Sequence, residues 1–270
     1  MILGIDVSQW NPTMDWKLLK ENGVEFAIIK ATQGNYSVDP LLKTHVEGAK
    51  NAGMIVGLYH WCDPLVKYAA QADFFLRTVQ GLEYDLVAAD VEQFWADWGE
   101  WSRKAITKYL APEVISENGR NTLAYWADRI RQPGVLYTRT SFVQAYARPM
   151  LNWMGRVALW MAHYPYNSTR LSTSWAQFKT VHKPAISGPT MPAGFAANSW
   201  RFWQFTGDKF VLPGCSGAID VNGFNGDLDG LLRFVGRGGS PSVPENPPAK
   251  TIEERVGLLE REARGHGWNI

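Results

Sequence analysis

Two carboxylates stand two positions apart in the run Asp85-Leu-Val-Ala-Ala-Asp90-Val-Glu92. If the apolar body of that run is a strand, Asp90 and Glu92 project from the same side at its C-terminal end. Two acids crowded together cannot both ionise freely, so the pKa of one is pushed upward and a proton is held near neutral pH. A protonated acid beside a charged one is the machinery of glycosidic bond hydrolysis. A solvated strand end or a salt bridge would leave the same two letters, so the pair needs company. Asp6, in Gly4-Ile-Asp-Val-Ser-Gln-Trp10, and Asp220, in Gly217-Ala-Ile-Asp-Val-Asn-Gly-Phe224, each read as the C-terminal end of a buried strand. If all four acids share a rim, carboxylates converge there with no run of cations to neutralise them.

That placement depends on the elements between them. Aliphatic, β-branched runs predict strands at 2–7, 26–31, 55–60, 85–91, 134–137, 157–161, 201–205 and 217–221. Helical patterns fit 15–22, 40–52, 67–79, 121–131 and 141–151. The order is an α/β alternation whose first five units are βα and whose last three strands lack proper helices. It resembles a TIM-like barrel, in which the first and eighth strands are neighbours and the C-terminal strand ends form the active face. Residues 1–236 therefore read as one catalytic body. Residues 237–250 hold Pro241, Pro244, Pro247 and Pro248 and predict a linker. Residues 251–270 carry a short helix, opened by a Thr251/Glu254 capping box and stopped at Gly265. Its stripe of Ile252, Val256, Leu259 and Ala263 needs a partner surface, and self-association through 251–266, docking on its own barrel or another protein, and a frayed tail all remain open.

The chain has 270 residues, 46% hydrophobic, with 27 Lys plus Arg against 26 Asp plus Glu. Such neutrality argues against a nucleic-acid partner, and the lack of a long apolar run argues against a membrane one. No basic and apolar leader precedes Gly4, so synthesis in a cytoplasm without a signal peptide is expected. Cys62 and Cys215 read as buried free thiols, and the scattered His45, His60, His163, His182 and His266 give no metal site and no cofactor. The compositional outlier is 13 Trp, 10 Tyr and 12 Phe. Flat apolar rings in that number fill a core or line a carbohydrate site.

Eight motifs appear in order over residues 2 to about 235: Gly4-Ile-Asp-Val-Ser-Gln, Phe26-Ala-Ile-Ile-Lys-Ala-Thr, Gly57-Leu-Tyr-His60, Asp90-Val-Glu92, Gly134-Val-Leu-Tyr137, Leu159-Trp-Met-Ala-His-Tyr164, Trp203-Gln-Phe-Thr206 and Ile219-Asp-Val-Asn-Gly-Phe224. Together they resemble glycoside hydrolase family 25, the Chalaropsis-type lysozymes or N-acetylmuramidases, which include many phage endolysins. The resemblance implies a (β/α)5(β)3 barrel that cuts the β-1,4 bond from N-acetylmuramic acid to N-acetylglucosamine in peptidoglycan glycan strands of the bacterial cell wall, and the expected lack of a signal peptide suggests another route there, such as phage-induced release. By position it implies Glu92 as general acid, Asp90 as the companion that orients the 2-acetamido group or attacks directly, and Asp6 and Asp220 as supporting acids. Gln33 departs from the pattern, because family members often carry an acid there.

Tyr59, Trp61, Tyr137, Trp160, Tyr164 and Trp203 lie on or just beyond strand ends and are the candidates for substrate binding. Trp95, Trp98 and Trp101 repeat every third residue as a helical stripe, which packs more often than it binds. Two alternatives stay open. Asp85 to Glu92 partly imitates the Asp-x-x-Asp-x-Asp-x-Glu run of chitinase-like family 18 hydrolases, although Ala88 replaces the second Asp. A catalytically silent cell-wall-binding or virion structural protein could keep the barrel.

Overall fold

The computed structural model describes residues 1–96 and 104–238. Met1–Arg237 forms one compact unit. The expected linker and terminal helix fall almost wholly outside the described residues, as do Trp98 and Trp101.

Eight strands close on themselves: β1 (Ile2–Val7), β2 (Val24–Gln33), β3 (Ile55–Trp61), β4 (Leu86–Asp90), β5 (Gly134–Thr138), β6 (Ala158–Ala162), β7 (Phe202–Val211) and β8 (Ala218–Phe224). Helices α1 (Trp16–Glu21), α2 (Leu42–Asn51), α3 (Tyr68–Thr78), α4 (Pro112–Ala127) and α5 (Thr140–Tyr146) follow the first five strands. Alternation along each strand sorts the core into two layers. Ile5, Val87, Leu136, Leu159 and Trp203 point outward and pack beneath the helices. Phe26, Leu86, Val135, Trp160 and Phe202 point inward and fill the barrel. Gly4 belongs to the inner wall, where any side chain would collide with the Phe26 ring.

Three features depart from the sequence-based expectation. First, β8 runs antiparallel to both β7 and β1. The connection from Val211 to Ala218 is too short for a crossover, so β7 and β8 form a hairpin. Asp220 therefore sits near the N-terminal start of β8, not at a C-terminal strand end, and the reversed direction is what brings that start to the active face. Its Cα partner in the ladder is Asp6.

Second, α4 begins at Pro112, not near Asn121. Its buried face includes Ser116, Asn118 and Gly119, so the apolar periodicity that marks a helix is missing there. Those polar groups are satisfied: Trp153 Nε1 donates to Ser116 Oγ at 2.9 Å, and Gln71 Nε2 to Asn118 Oδ1 at 2.8 Å.

Third, two short helices escape the sequence pattern. In the long connection after β6, Ser174 and Gln177 form a capping box that opens α6 (Trp175–Thr180). Asp227 caps α7 (Leu228–Phe234) through a 2.8 Å bond to Gly230 N. Phe234 packs on Phe202 and Phe224, with centroids 5.7 and 6.2 Å away, and so seals the end of the barrel opposite the active face. Asp85 serves that same end. It accepts from Val56 N at 2.8 Å and pairs with Lys50 at 3.2 Å and Arg237 at 2.6 Å.

Candidate active site

Inward-facing positions at the upper ends of the strands converge on a cavity of about 160 Å³ lined by Asp6, Tyr59, Asp90, Glu92, Tyr137, Trp160, Tyr164, Gln204 and Asp220. All four acids and four of the six aromatic candidates meet there. Larger hollows exist, such as one of about 510 Å³ beside Arg201 and Arg233, but it holds a single acid, Asp227. Among the described residues, no group of three or more His, Cys, Asp or Glu is arranged to hold a metal ion.

The acids divide into two pairs by their partners. Asp6 and Asp220 are braced. Gln204 Nε2 donates to Asp6 Oδ2 at 2.8 Å and to Asp220 Oδ2 at 3.4 Å, and Asn222 Nδ2 donates to Asp6 Oδ2 at 2.7 Å. The backbone N–H of Asp208 reaches Asp220 Oδ1 at 2.7 Å. Asp208 has φ of 52°, a left-handed conformation uncommon for a residue with a side chain, at an irregularity in the β7–β8 ladder. Asp90 and Glu92 are different, for neither carboxylate accepts a hydrogen bond from a described residue. Asp90 Oδ1 is also fully buried and unpartnered. An unsatisfied buried acceptor costs about 1–3 kcal/mol, which makes it a place where a ligand donor is wanted.

Burial dominates the electrostatics. It pushes the Glu92 carboxyl up to about 7, with Arg139 and Lys30 pulling down and Asp6 pushing up. Asp6 rises to about 6 by burial, opposed by its bonds from Asn222 and Gln204. Burial also raises Asp90, reinforced by the charge of Glu92, and raises Asp220, reinforced by Asp6. The site can therefore retain a proton at neutral pH.

Gln204 is the hub. Tyr137 and Tyr164 donate to its Oε1 at 2.7 and 2.5 Å while its amide nitrogen serves the braced acids. Trp160 Nε1 donates to Asn222 Oδ1 at 2.7 Å, so these rings are held by the same network. Tyr59 lines the cavity against Trp160, centroids 6.2 Å apart, and its hydroxyl makes no hydrogen bond with a described residue.

Trp61 and Trp203 do not line the cavity. Trp203 lies in the outer layer, 1% exposed, with Nε1 donating to the His163 carbonyl at 2.8 Å, so it has no face for a sugar. Trp61 packs on Phe94 at 5.0 Å, beneath the Lys30 ammonium at 4.7 Å. Lys30 also donates to Gln33 Oε1 at 3.1 Å. Trp95 belongs to a two-residue strand paired with Ala105, not to a helical stripe.

Sequence reasoning missed Gln204, Asn222, Lys30 and Arg139. Gln204 and Asn222 were detectable, since both lie in quoted motifs at inward-facing positions, two residues from Phe202 and Asp220. Lys30 and Arg139 act by charge across the cavity, and no spacing along the chain reveals that.

The comparisons with known proteins agree with this architecture. The profile of "Glycosyl hydrolases family 25" matches residues 5–214. Lysozyme M1 of Streptomyces globisporus is 28% identical over 254 residues, covering 87% of this chain and 71% of that protein. The N,O-diacetylmuramidase of Arthroderma benhamiae is 32% identical over 246 residues, covering 87% of this chain and 86% of its own. Among solved structures, the bacterial lysozyme from Streptomyces coelicolor superposes with a TM-score of 0.69 at 27% identity, covering 88% of this chain and 98% of that one. A family profile spanning most of the barrel, joined to a closed strand order that gathers its acids, settles the classification: this chain belongs to glycosyl hydrolase family 25 and is a glycoside hydrolase.

Proposed function

We propose that the protein hydrolyses the β-1,4 bond between N-acetylmuramic acid and N-acetylglucosamine in peptidoglycan, with Glu92 as general acid and base. The observation that carries this reading is the contrast in one cavity between Asp90 and Glu92, the first buried and the second half-buried and neither carboxylate braced by a described residue, and a braced Asp6/Asp220 pair. Glu92, protonated near neutrality, gives its proton to the leaving glycosidic oxygen. Asp90 Oδ1 accepts the N–H of the 2-acetamido group and turns the acetamido oxygen onto its own anomeric carbon. That C–O bond forms as the glycosidic bond breaks. Water then opens the cyclic intermediate, losing its proton to Glu92, and the configuration is retained.

Asp6 and Asp220 set the field in which Glu92 holds its proton, and Gln204 fixes both. Tyr59, Tyr137, Trp160 and Tyr164 form the wall against the sugar. Asp85, at the sealed end, is no part of this chemistry.

Mass spectrometry of digested peptidoglycan tests the bond assignment. New reducing ends on N-acetylmuramic acid are expected; reducing ends on N-acetylglucosamine alone would contradict it. Glu92→Gln should slow release by ~10²–10⁴-fold, and a variant that lyses walls at the wild-type rate would remove Glu92 from its role.

A further inference from the structure

Ten tryptophans lie among the described residues, and only Trp10 and Trp95 are exposed. Both follow a barrel strand on the active face. Trp10 is the more unusual, with 81% of its surface in water. An indole so displayed gains nothing from folding, since its ~150–250 Å² of ring surface stays wet.

The backbone beneath Trp10 is nevertheless fixed in place. Ser8 N donates to Asn11 Oδ1 at 3.1 Å and Asn11 N to the Ser8 carbonyl at 2.9 Å, closing the turn on itself. Gln9 N donates to Asp39 Oδ2 at 2.8 Å, tying the turn to the connection after β2. Asn11 Nδ2 reaches the Ala218 carbonyl at 3.4 Å, tying it to the start of β8, two residues before Asp220. On the neighbouring connection Tyr36 is also exposed, yet its hydroxyl donates to Asp63 Oδ2 at 3.0 Å and its ring lies over Gly34, whose φ of 52° and missing side chain make the room. Two adjacent connections thus present aromatic faces on rigid mounts.

The size of the cavity says what they are for. At about 160 Å³ it is well below the ~300–1,000 Å³ of pockets that enclose a whole small-molecule ligand. On the peptidoglycan reading it has room for the reacting sugar alone, so the rest of a strand must cross the rim. Trp10 stands four residues beyond Asp6, within ~14 Å of chain. We propose that Trp10, with Tyr36 on the neighbouring connection, forms an outer glycan-binding platform on which a pyranose ring of the same strand stacks, a few sugars from the bond being cut. This deepens the peptidoglycan reading above and rests on it.

The experiment measures binding of peptide-free peptidoglycan glycan strands, sorted by length, to the full chain carrying Glu92→Gln so that the strands survive. Adding Trp10→Ala should weaken binding of long strands by about tenfold, as expected for one lost ring stack. The loss should shrink to nothing for the disaccharide, and Trp10→Phe should restore most of the affinity. Val181→Ala, which trims an exposed apolar side chain outside the active-face rim, serves as control and should bind like the parent. Equal affinity of Trp10→Ala and its parent for long strands would overturn the platform, as would a loss independent of strand length. If the parent itself binds no strand of any length, the peptidoglycan reading fails first.

Discussion

Lys30 and Gln33 face each other across a 3.1 Å hydrogen bond at the upper end of β2, and the Lys30 charge acts on both Asp90 and Glu92, drawing their pKa values down against burial. A neutral amide leaves that cation undiminished. Placing an acid at position 33 would pair with Lys30 and add a negative charge near two others. Gln33→Glu should therefore raise the pKa of Glu92 above about 7 and carry the alkaline limb of the activity profile upward by some tenths of a pH unit to one unit. Lys30→Met should move the limb the same way, because it removes the same attraction. The charged groups facing Glu92 are Arg139 from the connection after β5, Lys30 from β2, and the acids Asp6 from β1, Asp90 from β4 and Asp220 from β8, and Arg139→Met should act in the same sense as Lys30→Met. The measurement is kcat/KM against pH on solubilised peptidoglycan. A limb that stays fixed or falls in Gln33→Glu would show that the ammonium is not felt at Glu92.

The elements divide their labour between the two ends of the barrel. The upper end carries polar side chains that compete for protons, and the lower end is closed by Phe26, Phe202, Phe224 and the α7 residue Phe234. Asp227 holds α7 in register through its cap, and loss of such a cap costs about 1 kcal/mol. Asp227→Ala should lower the denaturation midpoint accordingly while kcat on peptidoglycan stays at the wild-type level, since the helix lies away from the acids. A parallel fall in kcat would show that the sealed end is coupled to the site. The legibility of these elements in the sequence follows their burial. All eight strands were readable because each has an apolar body, and Asp6, Asp90 and Glu92 were readable because they stand at or just past the ends of such bodies, whereas Asp220 lies near the start of its own. The first half of α4 was hidden by Ser116, Asn118 and Gly119 on its buried face, and α7 by its shortness. The direction of β8 was not legible, because β7 runs on to Val211, past the end predicted at 205, and only that extension shortens the link enough to demand a hairpin. Trp203 and Trp160 could not be told apart by residue type, although strand parity places one outside the wall and the other within it.

At the scale of the whole molecule, collecting four acids in a buried mouth sets stability against function. Asp6 moves from 3.8 to about 6 and Glu92 from 4.5 to about 7, with Asp90 and Asp220 displaced in the same direction. Each of these groups binds its proton more tightly in the folded chain than in the unfolded one. Rising pH therefore favours the unfolded state. The stabilising contribution is complete below the ordinary carboxylate values near 4 and is lost as pH climbs through about 6 for Asp6 and about 7 for Glu92. An amide in place of Glu92 escapes this penalty, because it never has to shed a proton into the cavity. Glu92→Gln should melt higher than wild type at pH 8, by ~2–4 °C for each kcal/mol relieved, and the difference should vanish near pH 4, where the wild-type acid is protonated in both states. Calorimetric melting of the two proteins across that range decides the matter. A wild type that melts higher than the variant at pH 8 would mean that ionised Glu92 stabilises the fold, and the proton held for catalysis would then have to come from elsewhere in the cluster.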